Sequence, residues 1–565
     1  MDEQIVPSIE QLGLCGIEDE DLFEPWKVKV KEYIEDRDSQ FKEFNLELPQ
    51  DLESLQSSHF NAIGFTKELI EGSIHKEYKE IVELSLKELV SKISEGSIKS
   101  TVVLEAYVSY AAIAQRFTNC VCQVFLEEAR ERAKFLDSYL LTHGKPLGPF
   151  HGIPISIKEH IPFKGKVTHC SYVSLLENTP QENQVSIQML YDMGAVFYVR
   201  TNQPQSLMAI DSHNNITGPT LNPYNLALSA GGSTAGEGAL LAFKGSIVGI
   251  GSDIGGSLRV PASFTGTVGY KPTTRRFSCR DGIVLGDSAI DGVYGPMCRS
   301  VDDLEYFMDI YINKGKPWMF DESVIPCPWN SCIIPPTAIT IAVIYDNGIV
   351  RPTPPITRGL DYVTSKLRDA GIKVIFFEPP KSIEAAQCIN NLYHAYGTEY
   401  YVEKLKKSGE PILKLTKWQL AFGPGAKGLA LKQLEETTKL KNEISRIYFD
   451  YAKDNNITAI LGPISESVAP ISNNGYNWSY TNIYNLIDWP AVAFPTGLVQ
   501  DPKLDVWGPD HQSSYTSPLE QFCHELYNAD EVVGAPIGLQ VAAPPFRDET
   551  VIGVAAIISK ILESK

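Results

Sequence analysis

The 565-residue sequence lacks several features that would assign it to common protein classes. It has no basic excess, because 69 acidic and 50 basic residues give a formal net charge of −19, and nucleic-acid binders normally carry a basic face. No stretch reaches the roughly 18 apolar residues that span a bilayer. The N-terminal stretch MDEQIVPSIEQ is acidic and has no apolar run, unlike a signal peptide. We therefore expect a cytoplasmic protein without a nucleic-acid partner or a transmembrane anchor.

Cysteine is sparse, with ten residues scattered along the chain, whereas small disulfide scaffolds are far denser in cysteine. The close pairs are Cys120/Cys122 and Cys327/Cys332. No histidine stands near either pair at zinc-finger spacing. We expect reduced thiols.

Motifs for metals and nucleotides are also missing. His151, His160 and His169 recur every nine residues, a spacing that fits no single helical metal face. No GxxxxGK[ST] occurs, and the Gly249–Gly251 segment lacks the third glycine of a dinucleotide site. We expect no metal and no cofactor.

Apolar patterning predicts a helical N-terminal arm over residues 1–84 and a single larger domain over 85–565. Ser85 and Glu88 form a capping-box pattern before a helix that Gly96 closes. Further helices are predicted at Thr101–Phe117, Leu126–Thr142 and Ile356–Ala370. Short apolar runs predict strands at Ile153–Ile157, Val196–Arg200, Ser246–Gly251, Ile339–Tyr345, Lys373–Phe377, Thr458–Leu461 and Ile537–Val541. This alternation predicts an α/β fold with a mixed, largely parallel central sheet sandwiched by helices.

The glycine-rich segment Gly231–Arg259 is the most informative part of the chain. It contains Ser233 and Ser257, each preceded by a Gly-Gly pair. Each glycine costs roughly 0.5–1 kcal/mol relative to alanine in a regular element, so stability does not explain the run. Glycine turns let backbone N–H groups converge on one point. The pattern suggests a nucleophilic hydroxyl beside an oxyanion hole.

Six segments together resemble the amidase signature hydrolases, in the order of that family and over most of the chain from Ser85 onward. They are GIPISIKE (152–159), TNQPQSLM (201–208), GPTLNPYN (218–225), GGSTAGEGALLA (231–242), GSDIGGSLRVPASFTGTVGYKPT (251–273) and GAPIGLQV (534–541). Glu237 and the segment Ala111–Cys120 resemble the fungal acetamidase and fatty-acid amide hydrolase branch. Subunits of tRNA-dependent amidotransferases usually have Ser or Ala at the Glu237 position.

The resemblance implies a Ser–cis-Ser–Lys triad. In this chain Ser257 would be the nucleophile, Ser233 the bridging serine with a cis bond to Gly232, and Lys158 the base. A lysine is protonated at pH 7 unless it is desolvated, and Ile155 and Ile157 give Lys158 an apolar setting. Lys158 would then take a proton from Ser233, and Ser233 from Ser257.

The same resemblance places an oxyanion hole and a substrate contact. The backbone N–H groups of Ile254, Gly255, Gly256 and Ser257 would hold the oxyanion, each donor being worth ~3 kcal/mol. Leu207 matches a position whose backbone carbonyl contacts substrate in relatives, although a plain core leucine is the alternative.

Simpler roles exist for the three triad residues. Either serine could cap a helix, and an isolated lysine is usually exposed. Asp253 and Arg259 could form an ion pair that braces the loop of Ser257.

Two residues depart from the family pattern. GGST-A replaces the commoner GGSS-G, so Thr234 and Ala235 are variants. Ala235 adds a methyl group at a glycine position, and we expect its φ to be negative. Neither variant removes a triad member, but both could reshape the leaving-group side.

The first functional hypothesis is a serine amidohydrolase that cleaves small carboxamides to acid and ammonia through an acyl-enzyme. Carbamates (urethanes) are the alternative substrates, and the lack of an anchor disfavours long-chain amides. A second hypothesis is an amidotransferase subunit of a tRNA-charging complex, which would need a partner. A third, a binding protein without activity, conflicts with the intact triad. Many members of the family dimerise, so a homodimer stays open.

The residues that would select the substrate belong to loops whose positions the sequence does not give. The candidates are Ser206–Asn214, Gly286–Tyr294 and Tyr480–Asp488.

Overall fold

The computed structural model describes residues 6–44, 50–66, 76–282, 289–509 and 515–564. Within these residues an eleven-stranded sheet forms the centre of the fold, beside a small two-stranded sheet made of β4 and β5. The strands in chain order are β1 (Val121–Val124), β2 (Pro154–Lys158), β3 (Val196–Thr201), β4 (Leu221–Asn222), β5 (Asn225–Ser229), β6 (Val248–Asp253), β7 (Val268–Lys271), β8 (Val293–Cys298), β9 (Thr340–Val343), β10 (Lys373–Phe376), β11 (Ala459–Pro463), β12 (Ala491–Val499) and β13 (Pro536–Ala542).

The described helices of six or more residues account for most of the rest of the fold. They are α1 (Glu20–Gln40), α2 (Leu52–Ser57), α3 (Lys76–Glu83), α4 (Leu86–Ser94), α5 (Ser100–Thr118), α6 (Leu126–His143), α7 (Val185–Asp192), α8 (Ala235–Ala242), α9 (Arg259–Thr265), α10 (Val301–Ile310), α11 (Pro354–Asp369), α12 (Ser382–Tyr393), α13 (Glu399–Ser408), α14 (Lys414–Leu420), α15 (Leu431–Asp454), α16 (Ser479–Leu486), α17 (Pro518–Glu525) and α18 (Asp548–Glu563).

Both faces of the main sheet are covered. Successive side chains of a strand point to opposite faces, and every residue of β2, β7, β8 and β13 is buried. The fold is therefore α/β with a mixed sheet between helices, as predicted.

The strand directions correct one part of the prediction. The order across the sheet is β1-β3-β2-β6-β8-β7-β12-β13-β11-β9-β10. Parallel pairing is confined to β3-β2-β6 and β11-β9-β10, and the six other neighbouring pairs are antiparallel. The expectation of a largely parallel sheet is wrong for the centre, because β7, β8 and β12 lie there and were not recognised. Glycine and proline interrupt their apolar runs.

The elements that were predicted lie where the sequence placed them, within a few residues. The Ser85–Glu88 capping box is formed at the start of α4, with the Ser85 N–H donating to the Glu88 carboxylate at 2.9 Å. Such boxes are local, so they can be read from spacing alone.

The N-terminal arm packs beside β1, the edge strand of the main sheet. Arg37 of α1 donates to the side chain of Asn119 and to the Val121 carbonyl, at 3.0 and 3.2 Å. The Tyr33 hydroxyl lies 3.2 Å from His169 Nε2. The division of the chain at residue 84 stays a prediction.

Candidate active site

Lys158 is the last residue of β2, whose C-terminal end lies at the same edge as that of its parallel neighbour β6. Open α/β sheets commonly bind ligands at this edge. The Lys158 side chain is fully buried. Its Nζ donates to Ser233 Oγ at 2.6 Å and to Ser252 Oγ at 3.1 Å. Lys158 is therefore not the exposed lysine of the simpler alternative.

The protonation state of Lys158 depends on its burial. Burial lowers the pKa of the Lys158 amine to about 7, although the Asp253 carboxylate favours the charged form. Water stabilises an ammonium ion, and its removal favours the neutral amine. A substantial neutral fraction is thus present at physiological pH, and a neutral amine can accept a proton.

Ser233 closes the first glycine turn, Gly231–Ser233, in which the Gly232–Ser233 peptide bond is cis. Thr234 occupies the N-cap position of α8 and no side chain caps that helix. The capping alternative for Ser233 is therefore not observed. Ala235 is the first residue of α8, so its φ is negative, as predicted.

Ser257 closes the second turn, Gly255–Ser257, which follows β6. Leu258 occupies the N-cap position of α9 and no side-chain cap is formed, so Ser257 does not cap α9 either. The Thr234 N–H donates to the Ser257 carbonyl at 3.2 Å. This hydrogen bond fixes the two turns against each other.

The second turn is built around the Asp253 carboxylate. Arg259 pairs with it at 3.0 Å, and both side chains are fully buried. The N–H groups of Gly256 and Leu258 also donate to it, at 2.8 and 3.1 Å. Burial by itself would raise the pKa of Asp253, but the charge and hydrogen bonds of Arg259, together with Asn485 and Lys271, outweigh burial and hold that pKa at about 2. The carboxylate is thus ionised, and the bracing ion pair is formed as predicted.

The four predicted oxyanion donors are not equivalent. The Gly256 N–H is used by Asp253. Those of Ile254, Gly255 and Ser257 donate to no group among the described residues. Buried backbone donors are rarely left unpaired, and Gly255 and Ser257 are buried. These three N–H groups are free for a ligand.

One cavity of about 40 Å³ joins both serines. Its lining residues are His160, Leu207, Met208, Ser233, Ser252, Asp253, Ile254, Ser257, Gly292, Val293 and Tyr294. Leu207, predicted as a substrate contact, lies on this wall with a left-handed φ of 65°. Gly255 and Gly256 lie between two lining residues in the chain but do not line the cavity themselves.

Two of the three predicted specificity loops contribute to this wall. Leu207 and Met208 come from 206–214, and Gly292 to Tyr294 from 286–294, of which 286–288 lie outside the described residues. The third loop, 480–488, lines a separate cavity.

His160 stands two residues after Lys158 and also lines the cavity, whereas its sequence pattern was considered only for metal binding. Burial lowers the pKa of His160 well below its usual range, so the ring is neutral. Its Nδ1 has no hydrogen-bond partner in the described part of the chain. The ring packs edge-on against Tyr294, with centroids 5.8 Å apart. The position of His160 two residues after Lys158 was the sequence signal that could have placed it at the site.

A buried carboxyl group, that of Glu237 on α8, lies behind Lys158. The hydroxyls of Ser156 and Thr201 donate to it. Ser156 and Lys158 are two residues apart on β2 and share a face. Burial raises the pKa of Glu237 to about 8, so this carboxyl is neutral at pH 7.

The described residues lack two kinds of feature. They contain no group of three or more His, Cys, Asp or Glu side chains placed to hold a metal ion. No helix among them is long and apolar enough to cross a membrane.

The chain is similar to known amidases in sequence and in fold. The amidase family model matches residues 102–552. An acetamidase of Aspergillus oryzae is 33% identical over 498 residues, covering 86% of this chain and 90% of the relative. An acetamidase of Emericella nidulans is 32% identical over 517 residues, covering 89% and 93%. A solved fatty acid amide hydrolase is 40% identical with a TM-score of 0.96, covering 100% of this chain and 99% of that one.

The chain belongs to the amidase family, the amidase signature hydrolases. It is accordingly an enzyme that hydrolyses amide carbon–nitrogen bonds.

Proposed function

We propose that this enzyme is a serine amidohydrolase of small carboxamides that uses Ser257, Ser233 and Lys158. The observation that carries the proposal is the 2.6 Å hydrogen bond between the buried Lys158 amine and Ser233, whose hydroxyl shares a cavity with Ser257. A serine hydroxyl needs a base to become a nucleophile. The depressed pKa of Lys158, about 7, makes a lysine suitable for that task.

The reaction would begin with a proton relay. Neutral Lys158 accepts the proton of Ser233, Ser233 accepts that of Ser257, and Ser257 Oγ attacks the amide carbonyl carbon. The resulting oxyanion is held by the free N–H groups of Ile254, Gly255 and Ser257. The Gly256 N–H acts indirectly, since it fixes the turn through Asp253.

Collapse of the tetrahedral intermediate breaks the carbon–nitrogen bond. Ser233 returns its proton to the leaving nitrogen and is reprotonated by Lys158, so ammonia departs and an acyl-Ser257 ester remains. Water then attacks the ester through the same relay. The products are a carboxylic acid and free Ser257.

The cavity favours a small acyl group with an apolar surface. Its volume is about 40 Å³, and Leu207, Met208 and Val293 supply apolar side chains. Two relatives are acetamidases, which supports a short acyl chain. The 40% identical structure is a fatty acid amide hydrolase, which makes a long-chain amide the second candidate. A carbamate fits the same chemistry.

The test is ammonia release from acetamide, benzamide, oleamide and ethyl carbamate by the wild type, Ser257→Ala and Ser138→Ala. Ser138 is a matched control, because its hydroxyl only contacts the carbonyl of Lys134 on the surface of α6. We expect turnover of acetamide by the wild type and the control alone. Preference for oleamide or ethyl carbamate would replace the substrate assignment, and equal turnover by Ser257→Ala would overturn the nucleophile.

A further inference from the structure

Two side-chain hydroxyls from outside the glycine-rich segment hold the backbone of the second turn. The Tyr393 hydroxyl donates to the Ile254 carbonyl at 2.8 Å. The Thr481 hydroxyl donates to the Gly255 carbonyl at 2.6 Å. Tyr393 is the last residue of α12 and Thr481 lies in α16, and both are buried. Consecutive peptide groups of this turn are thus each anchored by a separate helix.

Anchoring a carbonyl also fixes an N–H group. In a trans peptide the C=O of one residue and the N–H of the next lie in one plane and point in opposite directions. Tyr393 therefore fixes the Gly255 N–H, which is free for a ligand. Thr481 fixes the Gly256 N–H, which donates to Asp253.

The missing side chain of Gly255 leaves room for this contact. A Cβ built on Gly255 would lie 2.6 Å from the Tyr393 hydroxyl and 3.4 Å from the Trp478 ring. The Tyr393 and Trp478 rings pack with centroids 5.5 Å apart. The aromatic pair thus lies directly against the peptide group it holds.

We propose that Tyr393 is a positioning residue that aims the Gly255 N–H at the oxyanion, with Thr481 fixing the adjoining peptide group. This inference rests on the proposed function. Tyr393 is not among the residues lining the cavity, so it acts through the backbone. A donor that is already oriented needs no reorganisation when charge develops, and a hydrogen bond to the carbonyl polarises the N–H of the same peptide group.

The test is Tyr393→Phe, which keeps the ring packing and removes only the hydroxyl. We expect kcat for the best amide substrate to fall about tenfold and KM to change less than twofold. This loss is smaller than the roughly 10²–10³-fold cost of deleting an oxyanion donor, because the donor is still present. Thr481→Val should act in the same direction, and Thr481→Ser should restore activity.

A second readout does not depend on the substrate. Sulfonylation of Ser257 by phenylmethylsulfonyl fluoride places a developing negative oxygen at the same donors, and Tyr393→Phe should slow it by a similar factor. Tyr107→Phe is the control, because the buried Tyr107 hydroxyl has no hydrogen-bond partner within the described ranges. It should leave both rates unchanged.

The outcomes separate the two proposals. Unchanged kcat and unchanged labelling in Tyr393→Phe would overturn the role of Tyr393 and leave the proposed function standing. A rise in KM with unchanged kcat would also overturn it, since that indicates a substrate contact or a general distortion. Wild type that is labelled at Ser257 but hydrolyses no amide would overturn the substrate assignment alone, and the labelling ratio would still decide on Tyr393. Wild type that is neither labelled nor active would overturn both proposals.

Discussion

The two Gly-Gly-Ser turns have the same tripeptide sequence but different structural supports. In the first, Gly231–Ser233, backbone packs on backbone, and a Cβ on Gly232 would lie 2.1 Å from the Asp211 carbonyl oxygen. In the second, Gly255–Ser257, the side chains of Asp253, Tyr393 and Thr481 hold the backbone by hydrogen bonds. The first turn holds one hydroxyl against Lys158. The second leaves backbone donors free.

A buried carboxyl group accompanies each turn, and the two differ in charge. Asp253 faces Arg259 and keeps a pKa of about 2. Glu237 has hydroxyl donors and no ion pair among the described residues, and burial raises its pKa to about 8. A buried carboxyl is ionised only where a cation compensates for the lost water. The second turn is therefore held partly by an ionised carboxylate, whereas the first turn lies beside a neutral carboxyl group and is held by packing.

Removing the proposed base, Lys158, or its partner Ser233 is the sharpest test of this difference. Lys158 contacts Ser233 and not the second turn, so Lys158→Ala and Ser233→Ala should each lower kcat/KM by roughly 10²–10⁴-fold. The double variant should be little worse than either single one, because residues that act as a unit are not additive. Additive losses would show that Lys158 and Ser233 act independently.

The pH profile sharpens the same test. Wild-type kcat/KM should rise as pH increases through about 7, because the pKa of Lys158 is lowered by burial and only the neutral amine accepts a proton. Lys158→Ala should lose this rise, with the largest relative loss at neutral pH and above. A profile that keeps its rise in the variant would contradict the assignment.

Alanine at the two glycines separates packing from positioning. Gly232→Ala should lower the free energy of unfolding by about 3 kcal/mol or more, since the added methyl group meets fixed backbone. Gly255→Ala should cost less, about 1 kcal/mol, because it meets the end of the Tyr393 side chain, yet it should reduce kcat. Urea unfolding measures the loss of stability in both variants, and steady-state kinetics measures kcat. Equal losses of stability would contradict the difference between a packed first turn and a second turn held by side chains.

Neutral amides at the two buried carboxyl groups should have unequal effects, a clear loss of stability for Asp253 and almost no change in kcat for Glu237. Asp253→Asn leaves Arg259 buried without its charged partner and should lower the free energy of unfolding by about 3 kcal/mol. Glu237→Gln should change kcat at pH 7 less than twofold, because the carboxyl is already neutral below a pKa of about 8.

Stability against pH provides a check on Glu237. Its pKa in the folded protein is above the ordinary value, so the folded state binds more protons between about pH 4.5 and 8 and stability falls as pH rises there. Glu237→Gln should flatten that fall, as measured by urea midpoints at pH 5 and pH 8. An unchanged slope would mean that Glu237 is ionised in the folded protein.

Local patterns determined the parts of this protein that depend on neighbours in sequence. The Ser85–Glu88 capping box, the apolar strand β2 before Lys158 and the two Gly-Gly-Ser tripeptides were all readable, because caps, periodicity and turns act over a few residues. The family resemblance added the proposed roles of Ser257, Ser233 and Lys158.

Tertiary structure decided what no spacing reveals. The antiparallel centre of the sheet comes from strands with weak local signals. The contacts of Tyr393 and Thr481 with the second turn cross 139 and 226 residues of chain. Packing brings such groups together, and it also sets the desolvation that lowers the pKa of Lys158. The family resemblance supplied the proposed reacting groups, and burial in the folded protein sets their charge and orientation.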